Sequence, residues 1–388
     1  MSLHVQVPML DLKREYLYMK NEIDAAIGTC LDHQHWILGP EVNLFEKAMM
    51  HYLSVNHCIG VSSGTEALVL SLRALAIKRT GKEYFEKNHQ IITTPFTFTA
   101  TGDSILRSGA TPVFVDIDPK TFNIDPNQVR AYLDSPGGRN VVGLLPVHLY
   151  GRACAMDDLS SLAHERGLFL VEDVAQAFGA SWKGKKVGGL GESGTFSFFP
   201  SKNLGGFGDG GLVATNDGEL AALIRILLKH GGRDKYNVEH IGYNARLDTL
   251  QAAILLAKLK FIDEFNEKRR AIAETYTQGF KNYSLVITPV DVDGHVFHQY
   301  TIRTPDGRRD EIQKVLLQEG VQCMVYYPFP LNEMKVFVGR SHVWGDLKNS
   351  VNASRCVLSL PIEPLQDLSI TQLVIAAVKK VIEKVTAK

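Results

Sequence analysis

This 388-residue sequence has no excess charge: 42 Lys and Arg stand against 42 Asp and Glu. No net field therefore gathers nucleic acid or an anionic membrane surface, and neither is expected as a partner. Cysteine is scarce. The five, at positions 30, 58, 154, 323 and 356, form no Cys-x-x-Cys pair and, read along the chain, have no histidine at metal-ligand spacing. An odd, scattered set reads as reduced thiols in a cytoplasmic protein, with no disulfide framework and no metal. No apolar run approaches the roughly 20 residues of a membrane-spanning helix. Asp11, Lys13, Arg14 and Glu15 interrupt any signal-peptide core near the start. There is no internal repeat and no low-complexity linker. Nor is there a Gly-Lys-[Ser/Thr], which excludes a Walker phosphate loop.

What remains is an ordinary globular composition, 45% hydrophobic and 22% charged, with length for two domains. Residues 1–35 are polar, and Tyr16, Met19, Ile23 and Ile27 fall three or four apart, which predicts an N-terminal helical segment. From Cys58 onward short apolar strands alternate with helices. Strands are predicted at 58–61, 90–95, 111–116, 141–147, 168–171 and 212–215, and later helices at 219–230 and 248–262. That pitch implies an α/β fold built on a mostly parallel sheet. Beyond Phe261 the texture changes to a charged helix (263–283), a strand (296–302), a helix (310–319), a strand (321–326) and a final helix from Ser369. The predicted division is a large α/β domain over 1–260 and a smaller α+β domain over 261–388.

One stretch dominates the first part. Thr195-Phe196-Ser197-Phe198-Phe199 reads as a strand, Pro200 stops it, and five glycines follow between Gly205 and Gly211. Lys202 sits between. A lysine in apolar surroundings loses solvation, its pKa falls, and its neutral amine becomes a nucleophile; an exposed lysine on a glycine loop is the plainer alternative. Ser63-Gly64-Thr65-Glu66 opens a helix with capping-box spacing, and its free N–H groups suit a phosphate as well as a cap. Phe98 follows a strand end, where it can stack on a planar ring or fill the core. Asp173 ends a central strand, where an acid needs a cation partner or caps the next turn.

A strand-end lysine, a strand-end aspartate, a phosphate-ready helix start and a stacking aromatic together suit pyridoxal phosphate. At this point the sequence resembles the DegT-type sugar aminotransferases of the fold-type-I pyridoxal-phosphate superfamily. Six motifs stand in family order: Ser63-Gly64-Thr65, Thr97-Phe98-x-Ala100-Thr101, Pro146 to Gly151, Glu172-Asp173-x-Ala175-Gln176-Ala177, Ser197 to Gly205, and Gly242-Tyr243-Asn244-x-Arg246. The resemblance implies that Lys202 forms the Schiff base and shuttles a proton, and that Asp173 keeps the pyridine nitrogen protonated. It implies further that Gln176 meets the ring hydroxyl and Phe98 stacks on the ring. Gly64, Thr65 and Ser197 would bind the phosphate, and Asn244 would reach it from the neighbouring subunit of a homodimer with shared active sites. Asn244 reads equally as a cap for the helix near Asp248.

The implied reaction is transfer of an amino group from an amino acid, L-glutamate, to a keto-sugar nucleotide in amino-sugar biosynthesis. The Gly208-Asp209-Gly210-Gly211 run resembles members acting at carbon 3 of the sugar more than those acting at carbon 4. A keto-cyclitol acceptor would use the same chemistry. A sugar 3-dehydratase would carry His where Lys202 stands, and a non-catalytic regulator on the same scaffold would need neither Lys202 nor Asp173. The chain departs from the family pattern in a longer Lys78–His89 segment, in Tyr326 where many members have His, and in Asn332 after Pro-Leu. The last two leave the substrate open and the cofactor chemistry untouched.

Overall fold

The computed structural model describes residues 7–234, 236–290, 292–305 and 307–387, and its strand–helix alternation builds one eight-stranded sheet. In chain order the strands are β1 (His57–Val61), β2 (Gln90–Thr93), β3 (Thr111–Phe114), β4 (Val141–Leu144), β5 (Phe169–Asp173) and β6 (Ser181–Trp182). There follow β7 (Lys185–Lys186), β8 (Ser193–Ser197), β9 (Gly211–Thr215), β10 (Tyr300–Arg303), β11 (His342–Val343) and β12 (Val357–Leu360). The large sheet runs β1-β9-β8-β5-β4-β2-β3-β11.

From β8 across to β11 each neighbouring pair is parallel, while β9 runs against both β1 and β8. The exception has a local cause. The chain returns from β8 to β9 through the glycine-rich turn and not through a crossover helix, which a parallel pair would need. The central strands are buried along their whole length, as parallel sheets covered on both faces are. The carboxyl ends of β2, β4, β5 and β8 therefore open on one side of the sheet, where such folds bind ligands.

Tyr276, Tyr300, Ile312 and Val374 share a separate core with Val7, contributed by the N-terminal end of the described chain. The region beyond 261 is not packed only on itself. Leu331, Phe337 and Leu347 pack on Phe114, and β11 adds to the edge of the large sheet beside β3. This return was not legible as a strand, since two residues carry no periodicity.

Two predicted strands change. The one at 296–302 starts only at Tyr300, because Phe297 takes a left-handed φ of 44° and the Val296 N–H turns to the carbonyl of Gly151. The one at 321–326 reduces to single bridges, Val321 with Val7 and Met324 with Ser359, before the chain bends to bring Tyr326 and Tyr327 to the cavity described next. Two helices shift as well. The helix predicted over 219–230 spans Gly218–Leu227, and that over 248–262 is Thr249–Leu259, with a second beginning at Ile262.

Candidate active site

A cavity of about 710 Å³ lies over the carboxyl ends of the central strands. That volume suits a cofactor together with part of a substrate. Seven of the predicted site residues line it: Gly64, Thr65, Phe98, Asp173, Gln176, Ser197 and Lys202.

Lys202 reaches the cavity because the chain folds back just after β8. Its own N–H bonds the carbonyl of Phe199 at 2.8 Å, and Gly206 N–H bonds that of Phe198 at 2.8 Å. A side chain at Gly205 would lie 2.3 Å from the Pro200 carbonyl, so glycine is needed for that close approach. Among the described residues the Lys202 amine has no hydrogen-bond or salt-bridge partner. Burial lowers its pKa from the ordinary lysine value to about 8, against a smaller opposing pull from the Asp173 charge. The exposed-loop reading of this lysine is thereby displaced.

Asp173 is buried, with Oδ2 accepting from the Thr101 hydroxyl at 2.9 Å and Oδ1 from the Ala175 N–H at 3.1 Å. Burial pushes its carboxyl up, against these two donors and the charges of Lys202 and His148. A carboxylate so placed is complemented by a cation. Its neighbour Glu172 points to the opposite face, as strand alternation demands. There it accepts from the N–H groups of Gly188, Leu190 and Gly191 at 2.8, 2.7 and 2.9 Å and pairs with the His148 ring at 3.1 Å. Glu172 thus pins the 188–191 loop and stays out of the cavity.

Ser63 caps the helix Gly64–Thr80 by accepting from Glu66 N–H at 3.1 Å. The N–H groups of Gly64 and Thr65 have no acceptor among the described residues. A Cβ on Gly64 would meet the Ser197 Cβ at 2.6 Å and its hydroxyl at 3.1 Å. The missing side chain is what lets the Ser197 hydroxyl stand beside the helix start, and cap and anion site coexist there. Gly64→Ala is expected to keep the fold and weaken pyridoxal-phosphate binding about tenfold, measured by absorbance titration of the chromophore.

Gln176 is held from both ends: its Oε1 accepts from Tyr150 N–H at 3.0 Å and its Nε2 donates to the Tyr327 hydroxyl at 2.7 Å. One amide hydrogen remains free for the cavity. Phe98 is 57% exposed, so it does not fill the core; its ring stands 6.4 Å from that of Tyr327. Asn244 is the predicted residue that the cavity of this chain does not include. It is exposed and accepts from the Arg246 guanidinium. The capping alternative fails, because Asp248 is the N-cap of Thr249–Leu259.

Sequence reading missed three cavity residues, His298, Gln299 and Tyr327. The signal available was two histidines and a glutamine set among apolar residues, His295-Val296-Phe297-His298-Gln299. It also passed over Cys30 and His33, one helical turn apart, which lie with Glu41 inside 4.8 Å. The His33 Nδ1 accepts from His35 N–H at 3.0 Å, so the proton sits on Nε2, which faces Glu41 Oε1 at 3.0 Å.

The residues present fit pyridoxal phosphate by their donor set: an amine of lowered pKa, a buried carboxylate seeking a cation, two free N–H groups with a hydroxyl, and an open aromatic face. The sequence pattern of the DegT/DnrJ/EryC1/StrS aminotransferase family matches residues 17–379. The chain belongs to this family. Aminotransferases of the DegT/DnrJ/EryC1/StrS family depend on pyridoxal 5'-phosphate, which is the cofactor here, and the protein is an aminotransferase of fold type I. Among its relatives is a Geobacillus stearothermophilus protein named "Pleiotropic regulatory protein", 44% identical over 93% of this chain and 94% of that one. Another is the Streptomyces venezuelae dTDP-3-amino-3,4,6-trideoxy-alpha-D-glucose transaminase, 40% identical over 98% and 97%. The solved structure of S. venezuelae DesV in complex with a ketimine intermediate superposes with a TM-score of 0.90 at 38% identity, covering 97% of this chain and 98% of that one.

Proposed function

We propose that the protein transfers an amino group from L-glutamate to a keto sugar carried on a nucleotide, at carbon 3 in preference to carbon 4. The observation that carries this reading is the pairing of a free Lys202 amine with a buried Asp173 in one large cavity, in a chain related to a 3-amino-sugar transaminase. The cofactor, when bound, supplies an electron sink for the substrate carbon. The chain supplies the rest. Asp173 would hold a proton on the ring nitrogen, the remaining Gln176 amide hydrogen would be available to the ring oxygen, and Phe98 would offer its exposed ring for stacking. The Gly64 and Thr65 N–H groups and the Ser197 hydroxyl would receive the phosphate. Lys202, partly neutral near pH 8, takes the proton from the substrate carbon and returns it. Tyr326 lines the cavity, and its departure from the family pattern bears on which sugar is accepted. We place the boundary between the two domains near 260, where the helix Thr249–Leu259 gives way to Ile262–Phe280.

The test is a panel of nucleotide-linked 3-keto and 4-keto sugars and keto-cyclitols, each mixed with the pyridoxamine-phosphate form of the enzyme. A 3-keto-sugar nucleotide should restore the pyridoxal absorbance fastest. Restoration by a cyclitol alone would replace the sugar reading. No restoration by any acceptor would favour a regulatory role, the one that the name of the Geobacillus relative raises.

The same reading includes a homodimer in which Asn244 completes its neighbour's phosphate site. Two features support it. Lys202 is the sole Lys or Arg among the cavity's described lining residues, although a diphosphate and a donor carboxylate both call for cations. Asn244 and Arg246 stand outside that cavity, and the Arg246 Nε is buried without a partner. Chains carrying Lys202→Ala and chains carrying Asn244→Ala should each form impaired dimers. After subunit exchange, mixed dimers gain one intact site, and equal mixing should restore roughly a quarter of wild-type sites. If Asn244 serves its own chain, mixing restores nothing.

A further inference from the structure

Next to Lys202 in sequence, Asn203 leaves the cavity wall and enters a buried amide relay. Its Nδ2 donates to Asn266 Oδ1 at 2.8 Å and to the Val296 carbonyl at 3.3 Å, and Asn266 Nδ2 donates in turn to the Phe178 carbonyl at 3.1 Å. Because Val296 offers only an acceptor, the orientation of the Asn203 amide is forced. Its Oδ1 must then accept, and it meets His298 Nδ1 at 2.9 Å. The imidazole is thereby fixed as the Nδ1–H tautomer, with a lone pair on Nε2. His298 lines the same cavity as Lys202, and Nε2 has no partner among the described residues. The charged groups that bear on this ring are Lys202 and Arg269, and both, together with burial, hold it neutral. On the other side, Asp173 is the charged group that bears on Lys202.

A fixed neutral acceptor in the same cavity as the Lys202 amine has an evident use. We propose that His298 is a positioning residue that acts through Lys202: its Nε2 accepts a hydrogen bond from the Lys202 ammonium when the lysine, free of the cofactor and protonated, swings from the unpartnered position of this structure toward the ring. This deepens the aminotransferase reading and rests on it. The proton that Lys202 takes from a substrate carbon must wait on the amine before it is delivered. An acceptor that cannot keep the proton, yet directs the ammonium, holds the group in place for delivery. Asn203 and Asn266 set that acceptor's tautomer from behind.

The experiment reads the amine itself. In the full-length chain freed of small molecules, competitive acetylation followed by mass spectrometry gives the pH dependence of Lys202 labelling. Wild type should titrate near pH 8. His298→Asn keeps a donor toward Asn203 but removes the Nε2 acceptor. Losing a hydrogen bond to the charged form should lower the Lys202 midpoint by about one pH unit. His298→Gln loses the bond to Asn203 and places an acceptor close to the Nε2 position, so its midpoint should return toward the wild-type value. An unshifted midpoint in His298→Asn, or an equal shift in both variants, would overturn the proposal, because an acceptor at the Nε2 position would then not be what sets the Lys202 midpoint. Labelling needs no cofactor. A failure of pyridoxal phosphate to attach to wild-type Lys202 would sink the functional reading and leave this measurement standing.

Discussion

Lys202→Ala should bind pyridoxamine phosphate with little loss and turn over at least about 10⁴-fold more slowly than wild type. The side chain removed has no hydrogen bond or ion pair to leave unmet among the described residues, so neither the turn at Phe199–Gly206 nor the cavity wall depends on it. What goes is the group that bonds the cofactor and moves the substrate proton. Steady-state kinetics beside a pyridoxamine-phosphate binding isotherm separates the two effects. Loss of binding in step with loss of turnover would mean that Lys202 serves the architecture. The midpoint near pH 8 adds a second mark: reactivity of the free amine should rise through pH 8 and not through the ordinary lysine range above 10.

The second large effect belongs to Asp173. Removing one partner of a buried ion pair costs about 3–5 kcal/mol, so Asp173→Ala should weaken cofactor binding by roughly 10²-fold to several thousandfold. Asp173→Asn is the sharper test, because the site can hold it without strain. Its Oδ1 can still accept from Ala175 N–H, and its amide can donate to the Thr101 oxygen while the Thr101 hydroxyl turns to Thr97, 3.1 Å away. Only the charge is lost. Turnover should therefore fall by at least about a hundredfold while the melting temperature stays near that of wild type. Near-normal turnover in Asp173→Asn would show that the ring nitrogen is held by another group.

The parts of the site that could be read in the sequence are those with local causes. Lys202 is marked by an apolar strand, a proline and a run of glycines within a few residues of itself. Asp173 is marked by the end of a buried strand, and Gly64 and Thr65 by a cap. The parts that could not be read depend on distant segments meeting. The tautomer of His298 is decided by Asn203, some 95 positions away, and by Asn266 behind it. Gln176 is aimed by Tyr150 and Tyr327 together. Glu172 and Asp173 are adjacent and equally acidic, and only the alternation of β5 sends one to the cavity and the other to the 188–191 loop. The sheet order was legible as a class, since strands alternating with helices must lie mostly parallel. The reversal of β9 and the added edge of β11 were not, because each depends on where a connection leads and not on its composition.

The central claim is that Lys202 is the residue that bonds pyridoxal phosphate. Borohydride reduction of the enzyme with its cofactor bound, followed by digestion and mass spectrometry, tests it most directly. The expected result is a yellow protein that bleaches on reduction and a single phosphopyridoxyl group fixed on Lys202. Recovery of that group on any other lysine, with Lys202 unmodified, would contradict it.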